Sequence, residues 1–261
     1  MRVDWISEVE NKFDHPAVVL WRAIELKHIE EVLNKCNLTE PILDLGCAEG
    51  KIAGLLLKGK KLIGLDNSWE LLGQNKKNEV YQELILADAC YMPFKNGFFS
   101  SVFSNCVVEH IPDIKAVLQE VYRVLKPKGI FLFTVPSDKF GDYLFFSAIF
   151  NNLVLRSISN WYKKKRNSLL NHFHCYSHNR WGELLDKGSF DLIEYNYYMP
   201  KKAAIFWDFL AFLILILRSA RLLNLVQPKL NKYLRNYLKR YYSMESGTGA
   251  GLLIVAQKRS I

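Results

Sequence analysis

The chain has 261 residues, half of them apolar and 23% charged, which is enough for a full-sized core and too apolar for global disorder. Its formal net charge is +9, and its five cysteines (Cys36, Cys47, Cys90, Cys106, Cys175) are too few and too scattered for a disulfide framework. Collagen, coiled-coil, channel and disulfide-stapled classes are excluded; a reducing, cytoplasmic setting is expected, and the N-terminal residues lack the apolar stretch of a secretory signal.

Residues 16–35 carry apolar side chains at helical spacing. PILDLG then reads as a buried strand ending at Gly46, and KIAGLLLK (51–58) as a helix. KLIGLD, ELILAD (83–88) and FFSSVFSN (98–105) read as strands two to four. VLQEVYRVLK (117–126) reads as a helix, and IFLFTV (130–135) as a fifth strand after a Pro-Lys-Gly turn. Strands alternating with helices predict a parallel sheet covered on both faces, with a ligand crevice at the carboxyl ends of the strands. Asp44, Asp66, Asp88 and Asn105 fall at those ends. Beyond Val135 the alternation stops. WGELLD (181–186) reads as a helix, FDLIEYNYY (190–198) as a strand and AGLLIVAQK (250–258) as the last strand.

The turn Asp44-Leu45-Gly46-Cys47-Ala48-Glu49-Gly50 joins a strand to a helix, where glycine permits positive φ and close approach of a ligand. Twenty residues past Gly46 stands Asp66, followed by Asn67; a carboxylate there suits a ribose diol. The G-x-G-x-x-G pattern fails at Ala48 and Lys51, and a Walker loop fails at Ile52.

The turn fits three of the four fixed positions of D-x-G-x-G-x-G, with Ala48 the departure. Together with Asp66, LADA, PFKNGFFSSVFSNCVVEHIPD and LQEVYRVLKPKGIFLFTVP, in that order, it resembles the class I S-adenosylmethionine-dependent methyltransferases over residues 36–137. The resemblance implies a Rossmann-like, mostly parallel seven-stranded α/β sheet with helices on both faces and a reversed last strand. It implies S-adenosylmethionine as cofactor, held by Asp44, Gly46, Cys47, Gly50, Asp66, Asn67, Asp88, Ala89 and Asn105. Asp88 would accept from the adenine amino group, beside Ala89. Cys47 and Cys106 read as small apolar groups near the site.

His110, in Glu109-His110-Ile111-Pro112-Asp113, resembles the histidine base of sugar and natural-product O-methyltransferases, and general-base, positioning and structural roles all remain open for it. His172, His174 and Tyr176 are assigned to an acceptor pocket. The run His172-x-His174-Cys175-x-x-His178 has zinc-type ligands, but alternation turns Cys175 away from the two histidines, and no metal is assigned. The Asn/Asp-Pro-Pro-aromatic motif of nucleic-acid and glutamine N-methyltransferases is missing at Ser104-Asn105-Cys106-Val107, which disfavours amino-group methylation of adenine and leaves ribose and other RNA targets open; nucleic acid is not an expected partner.

The basicity is concentrated in two segments: 138–180 has seven basic and two acidic residues, and 199–248 has nine and two. Within the second, residues 203–217 are apolar at 14 of 15 positions, too short for a span and interrupted by Asp208. Leu230, Tyr233, Leu234, Tyr237, Leu238 and Tyr241 follow at helical spacing among lysines and arginines, the pattern of an interfacial helix. One domain is expected over 1–261, with these two insertions as a helical basic cap that closes over the site or also meets an anionic membrane through 201–241. The expected reaction is methyl transfer to an oxygen of a small-molecule or lipid-linked, glycan-type acceptor. C-methylation of an isoprenoid quinone-type ring, RNA methylation and a non-catalytic cofactor-binding or scaffold role are the alternatives.

Overall fold

The computed structural model describes residues 3–75, 79–153, 155–219, 235–244 and 246–260. The strands are β1 (Ile42–Leu45), β2 (Leu62–Asp66), β3 (Glu83–Leu86), β4 (Phe99–Asn105), β5 (Leu125–Pro136), β6 (Phe190–Tyr198) and β7 (Gly251–Lys258). The helices are α1 (Trp5–Glu10), α2 (Pro16–Leu33), α3 (Lys51–Leu56), α4 (Trp69–Asn75), α5 (Ile114–Val124), α6 (Phe145–Asn152), α7 (Arg156–Leu169), α8 (His178–Lys187) and α9 (Lys201–Ser219). Residues 235–242 are also helical.

All seven strands form one sheet in the order β3-β2-β1-β4-β5-β7-β6, with helices on both sides and the last strand reversed. Leu43 pairs with Ile63 and Val102, so β1 lies between β2 and β4 in parallel register. The order reverses beside β1, which is the switch point where such sheets open a crevice. Every residue of β1 and β2 is buried, as a strand covered on both faces requires.

Of the boundaries that differ from the sequence expectation, two have a clear physical cause. The helix expected at 117–126 begins at Ile114, because Asp113 caps it, accepting from the Ala116 N–H at 3.1 Å. Its buried residues Ile114, Val117, Leu118, Val121 and Val124 follow the helical period onto the sheet. The fifth strand starts at Leu125 rather than Ile130: Leu125 already pairs with Phe99, and a register irregularity absorbs the turn before Ser101 meets Ile130.

The chain divides into two compact units. One is drawn from the described residues of 30–137, 171–196 and 252–261, and holds the sheet apart from its extremities. The other is drawn from the described residues of 1–29, 138–170 and 197–251. The segment 138–180 is thus divided: 138–170 joins the helical unit and 171–180 the sheet unit.

The helical unit is organised by aromatic contacts and one buried carboxylate. Trp21 packs against Phe140, Tyr198 and Trp207, with ring centroids 5.0–6.0 Å apart. Asp208 accepts from the Phe145 N–H at 2.9 Å, the Arg166 guanidinium at 2.8 Å and the Tyr162 hydroxyl at 3.4 Å. A charge inside an apolar run is therefore what pins α6, α7 and α9 together. No helix among the described residues is long and apolar enough to cross a membrane. The stripe residues Leu230, Tyr233 and Leu234 lie outside the described residues. Of the others, Leu238 is buried, Tyr237 is exposed, and Tyr241 stacks on Phe206 at 4.5 Å.

Candidate functional site

The glycine turn lies directly after β1. Gly46 (φ +76°) and Gly50 (φ +73°) both need the left-handed region. A Cβ on Gly50 would stand 2.6 Å from Asn75 Oδ1 and 2.8 Å from a Tyr81 ring carbon, so the turn is covered by side chains that tolerate nothing larger than hydrogen there. Ala48, where the family pattern has glycine, is also left-handed (φ 44°). Its conformation is held at both ends: its N–H donates to Asp66 Oδ2 at 2.9 Å and its carbonyl accepts from Asn75 Nδ2 at 2.9 Å. Glu49 precedes the α3 N-cap Gly50 and pairs with Lys51.

Asp66 is buried at the end of β2, with Oδ2 on Ala48 N–H and Oδ1 on Ser68 N–H, each at 2.9 Å. Each oxygen spends one lone pair on the backbone and keeps a second for a ligand donor, which fits a diol. Asn67 beside it is exposed. Asp88 is exposed, with Oδ1 accepting from Cys90 N–H at 2.8 Å, and Ala89 is buried next to it. Asp88 thus caps the turn that follows it, and its second oxygen is not used by that bond.

Asp44 is buried and accepts from the Tyr81 hydroxyl at 2.5 Å. Burial pushes its pKa up to about 7; the Tyr81 hydrogen bond opposes this rise and the neighbouring Asp66 charge adds to it. Burial likewise pushes the Cys47 thiol up, so it is a neutral, packed group and not a nucleophile. Asn105 Nδ2 donates to Thr134 Oγ1 at 2.7 Å, so β5 orients the end of β4.

Sequence reasoning missed Tyr81, Asn75 and Thr134. None stands in a recognisable motif; each matters through a contact across 27 to 37 residues of chain.

Past β4, Val108–His110 form a single 3₁₀ turn. His110 Nδ1 lies 3.2 Å from the Asn171 carbonyl, and its Nε2 lies 3.8 Å from Glu109 Oε1. A carbonyl only accepts, so Nδ1 carries the hydrogen, and in the neutral ring the lone pair is on Nε2, on the Glu109 side. The His172 ring stands 5.2 Å from the His110 ring. Of the three residues assigned to an acceptor pocket, His172 joins His110. His174 instead is buried, with Nε2–H donating to the Ile111 carbonyl at 2.8 Å and Nδ1 accepting from the Tyr176 hydroxyl at 3.1 Å. With Phe173 N–H on the Glu109 carbonyl at 2.8 Å, His174 and Tyr176 clasp 171–176 onto 109–111.

Residues 43–133 match the family model described as "Methyltransferase domain". The chain is 34% identical over 94 residues to malonyl-[acyl-carrier protein] O-methyltransferase of Hamiltonella defensa, covering 36% of each chain. It is 28% identical over 133 residues to the mitochondrial arginine-hydroxylase NDUFAF5 of Danio rerio, covering 49% of this chain and 40% of that one. The matches thus span well under half the length of these curated relatives. The phosphoethanolamine N-methyltransferase 2 of Haemonchus contortus, solved with S-adenosyl-L-methionine, has the same fold: TM-score 0.57, 17% identity, 89% of this chain and 53% of that one. The matched segment holds the glycine turn, Asp66, Asp88, Asn105 and His110, and this methyltransferase domain, with the fold around it, supports a class I S-adenosylmethionine-dependent methyltransferase.

Proposed function

We propose that the protein transfers a methyl group from S-adenosylmethionine to an oxygen of a small-molecule or lipid-linked acceptor. The observation that carries the cofactor half is the Asp66 carboxylate, fixed by two backbone N–H groups at the end of β2 inside the matched domain. The cofactor, when bound, supplies an electrophilic methyl whose displacement by an acceptor hydroxyl yields a methyl ether, a neutral thioether and one proton. Asp66 would hold the ribose diol, Asp88 and Ala89 the adenine edge, and the Gly46–Gly50 turn the amino-acid portion. His110 presents a nitrogen lone pair beside the buried Glu109 carboxylate, an arrangement suited to receiving the acceptor's proton.

Support for an oxygen acceptor comes from this histidine and from the O-methyltransferase relative. Support for a lipid-linked one comes from the exposed apolar residues of α9, with exposed Lys201, Lys202 and Arg218 at its ends. On this reading the protein works in the cytoplasm, at the inner face of an anionic membrane. The hydroxylase relative favours a second reading, in which the same cofactor fold serves another reaction. Calorimetry with S-adenosylmethionine, followed by radiolabelled methyl transfer to extracted lipid and aqueous metabolite fractions, separates them. Label in a lipid fraction, stable to the mild base that hydrolyses esters, supports an ether product; cofactor binding without transfer to any fraction overturns methyl transfer.

A further inference from the structure

Glu109, His110 and His172 each offer one ligand atom, and these atoms lie within 4.8 Å of one another. We propose that the three form a site for a divalent transition cation such as Zn²⁺, Mn²⁺ or Fe²⁺. The donor set is two imidazoles and one carboxylate, which suits these ions and leaves coordination positions open. Ligand bonds of ~2.0–2.2 Å place donors roughly 3–4 Å apart, so closure on an ion needs a contraction of about 1 Å. The part-exposed His172 and the half-exposed His110 are the side chains that would rotate to supply it.

Three features show that the site is built rather than accidental. The Asn171 carbonyl on Nδ1 of His110 fixes the tautomer with Nε2 free to ligate, the arrangement typical of metal-bound histidine. Glu109 is 1% exposed, placing a carboxylate where low dielectric strengthens its attraction for a cation. The two chain segments, 61 residues apart, are tied by the Phe173–Glu109 backbone bond and by His174 on the Ile111 carbonyl, so the ligand-bearing segments are fixed before any ion arrives.

The role of the cation rests on the methyl-transfer reading; its binding does not. His110 Nε2 cannot hold a proton and an ion at once. In the loaded protein the ion would bind the acceptor oxygen and acidify it, replacing His110 as the means of proton removal.

Cobalt(II) is the probe, titrated into chelator-treated full-length protein and followed by calorimetry and visible absorption. One equivalent should bind with ligand-field bands. His172→Gln and Glu109→Gln should each weaken binding roughly 100-fold or more, beyond the loss of an outer-shell partner. His178→Ala, on a histidine stacked against Tyr195, should leave it unchanged. Far-UV circular dichroism checks that each variant folds, and if the buried Glu109→Gln does not, His172→Gln alone decides. Absent stoichiometric binding, or equal binding in His172→Gln, overturns the site. S-adenosylmethionine affinity measured on the same samples tests the cofactor reading separately.

Discussion

Val107 rests on the bare α-carbon of Gly46: a Cβ built at Gly46 would lie 2.3 Å from Val107 Cγ2. This contact seats the segment leading to Glu109 and His110 on the turn that follows β1. Gly46→Ala therefore meets two costs, a left-handed φ of roughly 1–2 kcal/mol and an overpacking clash of roughly 1–3 kcal/mol. Denaturant unfolding should show their sum. Adding Val107→Ala removes the two nearest atoms and leaves a Cβ 2.9 Å away, so it should recover most of the clash and leave the backbone cost. A double variant no more stable than Gly46→Ala would contradict this division.

Asp44 makes stability depend on pH. Its folded pKa is raised to about 7, above an unfolded value of ~3.9. Between these values the native state holds a proton that the unfolded state has lost. The contribution is fully present below about pH 4 and disappears as pH rises through about 7, with a slope of at most ~1.4 kcal/mol per pH unit. Asp44→Asn should flatten that part of the stability–pH curve. Tyr81→Phe removes the hydrogen bond that favours the carboxylate, so it should move the falling limb to higher pH. Identical wild-type and Asp44→Asn curves from pH 5 to 8 would refute the assignment.

Ala48 sits where its family pattern has glycine, at φ 44°. Ala48→Gly relieves that strain while retaining the N–H to Asp66 and the carbonyl to Asn75. The gain is about 1 kcal/mol, offset in part by the freer unfolded chain. Thermal unfolding should therefore show a small rise in midpoint, and a fall would mean that the methyl group packs usefully.

The strands and glycine turn were legible because each is written locally. Strands of four to seven residues carry Asp44, Asp66 and Asn105 at or next to their carboxyl ends, and parallel order follows from alternation. What stayed hidden is non-local. No spacing relates Tyr81 to Asp44, or His110 to His172; the sheet brings the first pair together and a clasp the second. The run from His172 to His178 is split for the same reason: His174 turns to the Ile111 carbonyl while His172 stands beside His110. Asp208 looked like a defect in an apolar helix and is the point at which three helices meet.

His174 and Tyr176 can be told apart from His110 by what their loss changes. Tyr176→Phe removes one hydrogen bond to His174, costing about 0.5–1.5 kcal/mol of stability. His174→Ala leaves the Ile111 carbonyl without its donor and opens a cavity, costing about 2–4 kcal/mol. At a temperature where both variants are folded, Tyr176→Phe should turn over at nearly the normal rate. His110→Ala should lose roughly 10²–10⁴-fold with cofactor affinity retained. A Tyr176→Phe loss as large as that of His110→Ala would make the tyrosine a participant in the reaction.

The helical unit carries the membrane prediction. On α9, Phe212, Leu215 and Ile216 are 40%, 61% and 46% exposed, and on α7 Trp161 is 65% exposed. Exposed basic residues occur on the same two helices: Arg156, Lys164 and Lys165 on α7, and Lys201, Lys202 and Arg218 on α9. Apolar side chains entering a headgroup layer give salt-resistant binding, whereas each basic residue near an anionic surface adds ~1 kcal/mol that salt screens. Co-sedimentation should thus be stronger with phosphatidylglycerol-containing vesicles than with neutral ones, and part of it should survive high salt. Phe212→Ser with Leu215→Ser and Ile216→Ser should remove the surviving part. Lys164→Gln with Lys165→Gln should reduce only the salt-sensitive part. The Asp208 contacts to Phe145, Tyr162 and Arg166 are untouched by either set, so the unit should stay folded, which its circular dichroism and melting temperature report. Equal binding to neutral and anionic vesicles would remove the basic residues from the interaction. Absence of binding to either would leave a water-soluble acceptor as the substrate.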